Sequence, residues 1–259
     1  MPEFRFTEHA GARLRYLDSG GDDLGAPVVF VPGFTCVADD YTEILPVLGR
    51  RAVVVELRGH GHSHARSGPF DSDTLAGDVG AVIDDVTDGP VHVMTFSRGT
   101  PYALLWALAN PDRVRSVSIG DYVPQEIALS DDIVTRLLDG RWRGTPVGER
   151  VDRAAGFATI RAARTQSLWE PLARRQPPLL VVRSPNAPIV DDAAWARYRA
   201  DFPAAKLHEF VDSPHDIFRP DRGRYPRLVR EHINAADDAA DDAADGRSAS
   251  ATERRTIES

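Results

Sequence analysis

Short runs of β-forming residues alternate with helical patterns along this chain, and this alternation constrains the fold more than any other feature. Eight runs have the composition of strands; in chain order they are EFRFTEH, ARLRYLDS, PVVFVPGF, AVVVELRG, VHVMTF, VRSVSIGDY, PLLVVRS and AKLHEFVDS. The first two form a predicted hairpin, and the runs at 28–31 and 53–57 are typical of strands buried on both faces. The pattern predicts an α/β fold with a mostly parallel eight-stranded sheet and helices on both faces.

The helical patterns and one long interruption complete this organisation. The predicted helices lie at about 38–48, 73–86, 98–109, 191–200 and 217–233. Between Val123 and Gln176 the alternation stops, and this mixed helical segment contains Trp142, Phe157 and Trp169. We interpret the segment as an insertion above the sheet in which these three aromatic residues form a small core of their own.

The size and charge of the chain set the domain organisation. With 259 residues, of which 42% are hydrophobic, one large domain over residues 1–234 is predicted. Residues 235–259 hold five Asp and two Glu against three Arg, and Ile257 is their only large apolar side chain. This acidic tail has nothing to bury and is predicted to be disordered. The remaining charge offers no basic patch for phosphate backbones, so no nucleic-acid partner is expected.

The compartment follows from segments that the sequence lacks. No apolar stretch approaches the roughly 20 residues of a membrane span, and the N-terminus has no secretory-signal pattern. Cys36 is the only cysteine, so an internal disulfide or a thiolate metal cage is excluded. A cytoplasmic protein that binds a small-molecule substrate and no membrane is predicted.

Ser97 stands where a buried strand must turn into a helix, within VHVMTFSRGTPYALLW. On such a turn the serine Oγ is exposed, and the next backbone N–H, that of Arg98, points from a helix N-terminus toward a developing oxyanion. The positions two before and two after the serine must be small; Gly99 meets this demand fully and Thr95 only partly. The alternative is that Ser97 simply caps the helix, since serine is a favoured N-cap residue.

The order and spacing of several motifs bear on this choice. The segments VVFVPGF, VVVELRGHGHS, TFSRG, LLVVRS and SPHDIF occur in the sequence in this order. Over about residues 4–234 the chain thereby resembles the α/β-hydrolase superfamily. The resemblance implies that Ser97 is a nucleophile, that His215 after the last strand is its base, and that residues 124–168 form a lid over the pocket.

The same resemblance implies an oxyanion hole made by the backbone N–H groups of Phe34 and Arg98. Three positions depart from the usual pattern of the superfamily: Thr95 replaces a glycine, Pro32 a frequent histidine, and Glu56 an aspartate. Thr95 should set the strand and the helix slightly further apart. The other two departures should leave the chemistry unchanged, because Phe34 acts through its backbone.

The third member of the triad is the least conventional. By spacing, the position of the usual acid is Ala187, which cannot orient an imidazole. Asp191 and Asp192 follow at a predicted helix start, where Asp is common as a cap. Asp121 ends the strand beside the one that delivers Ser97, and some relatives carry their acid there. We predict that Asp121 orients His215, with Asp191 or Asp192 as the alternative.

Other chemistry-bearing residues have less specific surroundings. His60, His62 and His64 could in principle face one metal ion, but no acid follows until Asp71, so a solvated or pocket-rim loop is predicted and no metal. Cys36 is expected to line the pocket as an apolar residue, since no histidine is placed to activate it.

The combined pattern predicts a cofactor-independent serine hydrolase that acts on a small ester, lactone or thioester through an acyl-enzyme. Two alternatives remain. One is a non-hydrolytic enzyme of the same fold, with carbon–carbon cleavage, lyase or perhydrolase chemistry. The other is a catalytically silent ligand-binding protein. Thr95 favours this alternative, because the superfamily usually has a glycine at this position of the strand-to-helix turn.

Overall fold

A computed structural model of the chain describes residues 2–21, 25–65, 68–187 and 189–257. The strands of this part are, in chain order, β1 (Glu3–His9), β2 (Ala12–Asp18), β3 (Val28–Val31), β4 (Ala52–Val55), β5 (His64–Ala65), β6 (Val91–Phe96), β7 (Val114–Gly120), β8 (Gln125–Glu126), β9 (Arg141–Trp142), β10 (Thr145–Pro146), β11 (Gln166–Ser167), β12 (Leu179–Arg183) and β13 (Lys206–Glu209). The main sheet has the order β1-β2-β4-β3-β6-β7-β12-β13, and β5 pairs with β2 at its side.

This sheet confirms the predicted α/β fold. Strands β3, β4, β6, β7, β12 and β13 are mutually parallel, whereas the β1–β2 hairpin is antiparallel and also joins β4 in an antiparallel way. The eight strands of the path are the eight predicted runs; the short β5 beside them and the two-residue strands β8 to β11 outside the main sheet were not predicted. Because the parallel strands end at the same edge, the turns at their carboxyl ends lie together, where ligands bind in such sheets.

The helices cover both faces of the sheet. They are α1 (Ser72–Val86), α2 (Gly99–Ala109), α3 (Asp131–Leu138), α4 (Arg153–Ala162), α5 (Trp169–Arg175), α6 (Asp192–Asp201) and α7 (Arg224–Ile257), with 3₁₀ turns at Ala38–Leu48, Pro111–Arg113 and Val147–Glu149. The helix predicted at 38–48 is thus a 3₁₀ segment. Within the described ranges no helix combines the length and the apolar character that crossing a bilayer requires.

Two hydrophobic cores lie on opposite faces of the sheet. Val29 and Val31 of β3 point into a core that α1, α2, α5 and α6 cover, whereas Val28 and Phe30 point into a second core under the 3₁₀ segment and α7. Successive strand residues face opposite sides, so a strand buried on both faces must be apolar throughout. This requirement explains why β3 could be recognised from its composition alone.

The inserted segment between β7 and β12 has its own small core. Strands β8 and β11 pair at its base, and α3 and α4 pack together above, burying Val134, Leu138 and Ile160. Trp142 and Phe157 contact this core, as predicted. The prediction for Trp169 was wrong: this side chain belongs to the main core, where its ring lies 4.6 Å from that of Tyr198.

Residues 235–257 of the tail that is predicted to be disordered are helical in the structure, and residues 258 and 259 lie outside the described residues. Helix α7 runs without interruption to Ile257, and Ala236 is buried. The carboxylate of Asp237 accepts a hydrogen bond from Arg50 at 2.5 Å and lies 3.2 Å from His92 Nε2. The prediction considered only apolar burial and did not include this contact between charged side chains.

Candidate active site

The turn between β6 and α2 carries Ser97 in a strained backbone conformation. Its φ is +53°, a left-handed value that costs a non-glycine residue roughly 1–3 kcal/mol. Two hydrogen bonds hold it: Ser97 N–H donates to Gly120 O at 2.9 Å, and Thr100 N–H donates to Ser97 O at 2.9 Å. The side chain of Ser97 is thereby directed out of the turn, toward the edge where the parallel strands end.

Close packing around this turn explains its small residues. A Cβ atom on Gly99 would lie 2.2 Å from Pro32 O, and one on Gly33 would lie 2.9 Å from Ser97 Cβ. Thr95 is accommodated because its hydroxyl accepts a hydrogen bond from the Thr100 hydroxyl at 2.9 Å. The threonine that departs from the usual pattern is therefore fully buried and paired through its hydroxyl.

His215 lies in the segment between β13 and α7 and contacts Ser97 directly. Its Nε2 is 2.8 Å from Ser97 Oγ. The imidazole stacks on the ring of Phe96, with centroids 5.0 Å apart, and its side chain is 25% exposed. The ring plane of the histidine predicted as the base is thus fixed, and the exposed part of its side chain can exchange a proton with a neighbouring group.

Asp121 follows β7 and completes a line of three side chains. Its Oδ2 lies 2.7 Å from His215 Nδ1, and its Oδ1 accepts the N–H of Ser184 at 2.8 Å. The carboxylate is fully buried. Since a carboxylate can only accept, Nδ1 carries the proton in this contact and Nε2 is left to accept from Ser97.

The alternative acids lie elsewhere. Asp191 is the N-cap of α6 and accepts from Ala194 N–H, and Asp192 is exposed and pairs with Arg183. Ala187 is buried and carries no acid. The structure therefore brings Ser97, His215 and Asp121 together and leaves Asp191 and Asp192 in structural roles.

The two predicted oxyanion donors flank Ser97. Arg98 is the N-cap of the eleven-residue helix α2, and Phe34 follows Gly33, whose α-carbon packs against Ser97. Among the described residues, neither the N–H of Phe34 nor that of Arg98 has a hydrogen-bond acceptor. The buried side chain of Arg98 does not take part in the oxyanion hole, because its Nε donates to Tyr102 and its Nη1 to Ile127 O.

His60 supports Phe34, a role that sequence reasoning missed. Its Nε2 is in hydrogen-bonding contact with Phe34 O, and the two rings meet edge to face at 5.5 Å. His60 is buried, and burial lowers the pKa of its imidazole. The prediction of a solvated or pocket-rim loop fits the exposed His62; His64 is also exposed but lies on β5, and the buried His60 is not solvated. His60 directly follows the LRG motif, and this position was the signal in the sequence that could have indicated its role.

A cavity of about 550 Å³ opens above Ser97, within the range of small-molecule sites. Most of its lining is apolar or aromatic and comes from both the sheet edge and the inserted segment; examples are Phe34, Phe96, Tyr122, Ile127, Leu129, Trp142 and Ile189. Cys36 also lines it, as predicted; burial raises the pKa of its thiol to about 12, which makes thiolate chemistry unfavourable at neutral pH.

An ion pair connects the inserted segment with the histidine loop. Arg143, which follows β9, donates two hydrogen bonds to the carboxylate of Asp216 at 2.8 and 2.7 Å. Both side chains are largely buried, with exposed fractions of 10% and 5%. Asp216 is the neighbour of His215, so this pair attaches the cover of the cavity to the loop that carries the proposed base.

No group of three His, Cys, Asp or Glu side chains suited to a metal ion occurs within the described ranges. The histidines predicted to lie on a loop are separated in function, since His60 contacts Phe34 whereas His62 and His64 are exposed. The groups that surround Ser97 Oγ are an imidazole, the carboxylate behind it and the two backbone N–H groups of Phe34 and Arg98.

Comparison with known proteins gives consistent relatives. A non-heme chloroperoxidase of Streptomyces lividans is 36% identical over 129 residues, which are 48% of this chain and 46% of that protein, so the match spans less than half of the relative's length. A non-heme chloroperoxidase of Kitasatospora aureofaciens is 24% identical over 88% of this chain and 98% of its own. The solved structure of E-2-(acetamidomethylene)succinate hydrolase is 19% identical, with a TM-score of 0.74 over 90% of this chain and all of that one.

A family model described as the alpha/beta hydrolase fold matches residues 26–166, more than half of the chain. The matched region contains the strand-to-helix turn at Ser97, the residue Asp121 after β7 and most of the inserted segment. The chain therefore belongs to the α/β-hydrolase superfamily.

Proposed function

We propose that this protein is a cofactor-independent serine hydrolase that cleaves a small ester, lactone or thioester through an acyl-enzyme. The observation that carries the proposal is the line from Ser97 Oγ through His215 to Asp121, with contacts of 2.8 and 2.7 Å, below a largely apolar cavity. Membership of the α/β-hydrolase superfamily supports a hydrolase role.

Acylation requires a nucleophile, a base and a place for negative charge. Ser97 Oγ attacks the carbonyl carbon while His215 Nε2 takes its proton, and the carbonyl oxygen becomes an oxyanion that the N–H groups of Phe34 and Arg98 can bind. Asp121 accepts the Nδ1 proton and stabilises the imidazolium. When the tetrahedral intermediate collapses, the bond to the leaving group breaks and His215 gives that group its proton.

Deacylation repeats the steps with water. His215 takes a proton from water, the hydroxide oxygen attacks the acyl carbon, and the bond to Ser97 Oγ breaks as the serine recovers a proton. The products are the acid and the free enzyme. These steps use only side chains and backbone groups of this chain, which is why the proposal needs no cofactor.

The direct test is Ser97→Ala assayed on p-nitrophenyl esters of short acids. We expect turnover to fall by about a thousandfold or more with the fold unchanged, because only a hydroxyl is removed. Ser130→Ala is the matched control, since Ser130 is exposed and its side chain makes no cap hydrogen bond. More than a tenth of wild-type activity in Ser97→Ala would remove this serine from the mechanism.

A fluorophosphonate probe separates an enzyme from a silent binding protein. The probe should label the wild-type protein on Ser97 and leave Ser97→Ala unlabelled, because phosphonylation requires an activated hydroxyl. Absence of labelling in a folded wild-type protein would favour the ligand-binding alternative.

A second candidate is perhydrolysis, favoured by the name non-heme chloroperoxidase of the two sequence relatives described above. Here hydrogen peroxide replaces water: its oxygen attacks the acyl carbon, His215 takes its proton and returns it to Ser97, and a peroxy acid is released. Peroxy-acid formation from p-nitrophenyl acetate and peroxide, in which p-nitrophenol leaves as the acetyl-enzyme forms, is compared with hydrolysis of the same ester and decides between the two. Hydrolysis without detectable peroxy acid would exclude this candidate.

A further inference from the structure

The arginines of the inserted segment 124–168 divide into two groups by their ion pairs. Five of the seven have a carboxylate oxygen within 4.0 Å: Arg143 with Asp216, Arg150 with Asp40, Arg153 with Asp139, Arg161 with Asp131 and Arg164 with Asp73. Arg136 and Arg141 have none among the described residues. These two, and none of the five, line the cavity above Ser97.

The cavity is also free of negative side chains. Its described lining contains Arg98, Arg136 and Arg141 and no Asp or Glu, although the whole chain has a net charge of −8. The Arg98 guanidinium donates to Tyr102 and to Ile127 O, and its Nη2 lies 4.0 Å from the carboxylate of the buried Glu126, so its charge is already paired. The positive charge that remains for a ligand is therefore that of Arg136 and Arg141, which we call the rim arginines.

Nearby acids do not neutralise the rim arginines. Asp131 and Asp139, on and just after α3, are engaged by Arg161 and Arg153. Asp132 lies four residues before Arg136 on the same helix, yet no ion pair joins the two within the 4.0 Å limit. Arg141 donates one hydrogen bond to Gly144 O, and its guanidinium has four further N–H groups to offer.

Apolar side chains lie beside the rim arginines. Ile133 and Leu137, one turn apart on α3, line the cavity and remain 36% and 37% exposed. Exposed aliphatic groups next to unpaired cations fit a ligand with an apolar chain that ends in a negative charge. We infer that the substrate carries an anionic group, a carboxylate or a phosphate, that binds to Arg136 and Arg141 while its acyl carbonyl lies at Ser97. This inference rests on the proposed hydrolase function and names its substrate class.

Pairs of substrates that share the reacting acyl carbonyl, one anionic and one neutral, test the inference. The first pair is p-nitrophenyl hemiglutarate and its neutral methyl ester, and the second is butyryl-coenzyme A and neutral S-butyryl-N-acetylcysteamine. We expect the wild type to prefer the anionic member of one pair in kcat/KM. The pair that responds identifies the anion as a carboxylate on the acyl side or a phosphate on the leaving group.

The double variant Arg136→Gln/Arg141→Gln should lower this preference by about fivefold, mainly through KM, because partly exposed ion pairs contribute little each. Added salt should lower the preference of the wild type and leave the variant unchanged. The control is Arg174→Gln/Arg175→Gln, which removes the same charge from exposed positions on α5 outside the cavity. An equal preference in wild type and rim variant overturns the inference, while Ser97-dependent hydrolysis of both members would leave the proposed function standing.

A binding measurement keeps the test independent of turnover. Tryptophan fluorescence of the Ser97→Ala protein, in which Trp142 lines the cavity, is titrated with hexanoate, with hexyl phosphate and with neutral hexanamide. Tighter binding of either anion that disappears in the rim variant supports the anion site even if no ester of the panel is cleaved. Binding of both anions no tighter than that of hexanamide, or failure of all three to bind, overturns it.

Discussion

At the scale of single residues, the contact between His60 and Phe34 O fixes one of the two proposed oxyanion donors. We expect His60→Ala to lower kcat by about 10- to 100-fold with a smaller change in KM, because a shifted Phe34 N–H would stabilise the oxyanion poorly. His62→Ala is the control, since that side chain is exposed on the same loop. A folded His60→Ala protein with kcat within twofold of wild type would show that Phe34 holds its position without the histidine.

The acid assignment is a second test at this scale. Asp121→Asn should lower kcat by about 10⁴-fold, because the amide cannot stabilise the imidazolium and permits the wrong tautomer. Asp191→Asn and Asp192→Asn should stay within a few-fold of wild type, since these side chains cap α6 and pair with Arg183. A collapse of turnover in either of the latter, with Asp121→Asn active, would contradict the geometry of the site.

The residues that the sequence could predict share one property. Ser97, Asp121 and His215 each follow a recognisable strand, so a strand pattern places them at one edge of the sheet. His60 contacts a residue 26 positions away, and Ser184 contributes only its backbone N–H to Asp121. Such contributions depend on tertiary contacts or on atoms that every non-proline residue has, and a single sequence does not reveal them.

At the scale of elements, the Arg143–Asp216 ion pair attaches the inserted segment to the histidine loop. Removing one partner of a buried pair leaves the other charge unpaired, so Arg143→Met or Asp216→Asn should each lower the free energy of unfolding by about 3 kcal/mol. We also expect lower kcat, because the segment and His215 lose a common anchor. The double variant should cost less than the sum of the single ones.

Urea unfolding and steady-state kinetics measure these effects. Arg161→Met is the matched control, since the pair of Arg161 with Asp131 is exposed on the same inserted segment and should change neither property measurably. If Arg143→Met were as stable and active as this control, the segment would be held by its apolar contacts alone.

Strands were easier to predict than the elements of the inserted segment. Most strands of the main sheet, such as β3, β4, β6 and β12, are buried on both faces and must be apolar there, and this leaves a composition signal. Strands β8 to β11 have two residues each, too few for any periodicity. Trp169 was misplaced because nothing local indicates whether an aromatic side chain turns toward Tyr198 in the main core or toward the insertion.

At the scale of the whole molecule, Asp237 connects the last helix to the body of the domain. Asp237→Asn should lower Tm by about 2–4 °C, the shift that a loss of about 1 kcal/mol causes in a domain of this size. Asp238→Asn is the control, since its exposed side chain carries the same charge one residue later. Equal melting temperatures of the two variants would show that the contact of Asp237 does not stabilise the domain, and the tail would then be unattached, as its composition predicts.

Buried histidines, His60 among them, should make the stability of the whole domain sensitive to acid. Burial lowers the pKa of His232, on α7, to about 4, and that of His92, on β6, also to about 4. An unfolded chain has the ordinary histidine pKa of about 6.5. Between these values the unfolded state binds more protons than the folded one, so this contribution is fully present above about pH 6.5 and is lost as the pH falls toward 4.

We therefore expect the free energy of unfolding to fall between pH 7.5 and pH 5, and His232→Gln to make this fall shallower. The loss attributable to one such histidine is of order 1.36 kcal/mol for each pH unit below about 6.5, because each unit adds that much protonation free energy to the unfolded state. His208→Gln is the control, since His208 lies on β13 and is only half-buried. Urea titrations of the three proteins at both pH values measure the difference in slope. A pH dependence of His232→Gln that matches the wild type would mean that His232 is already protonated in the fold, and that acid sensitivity comes from other groups.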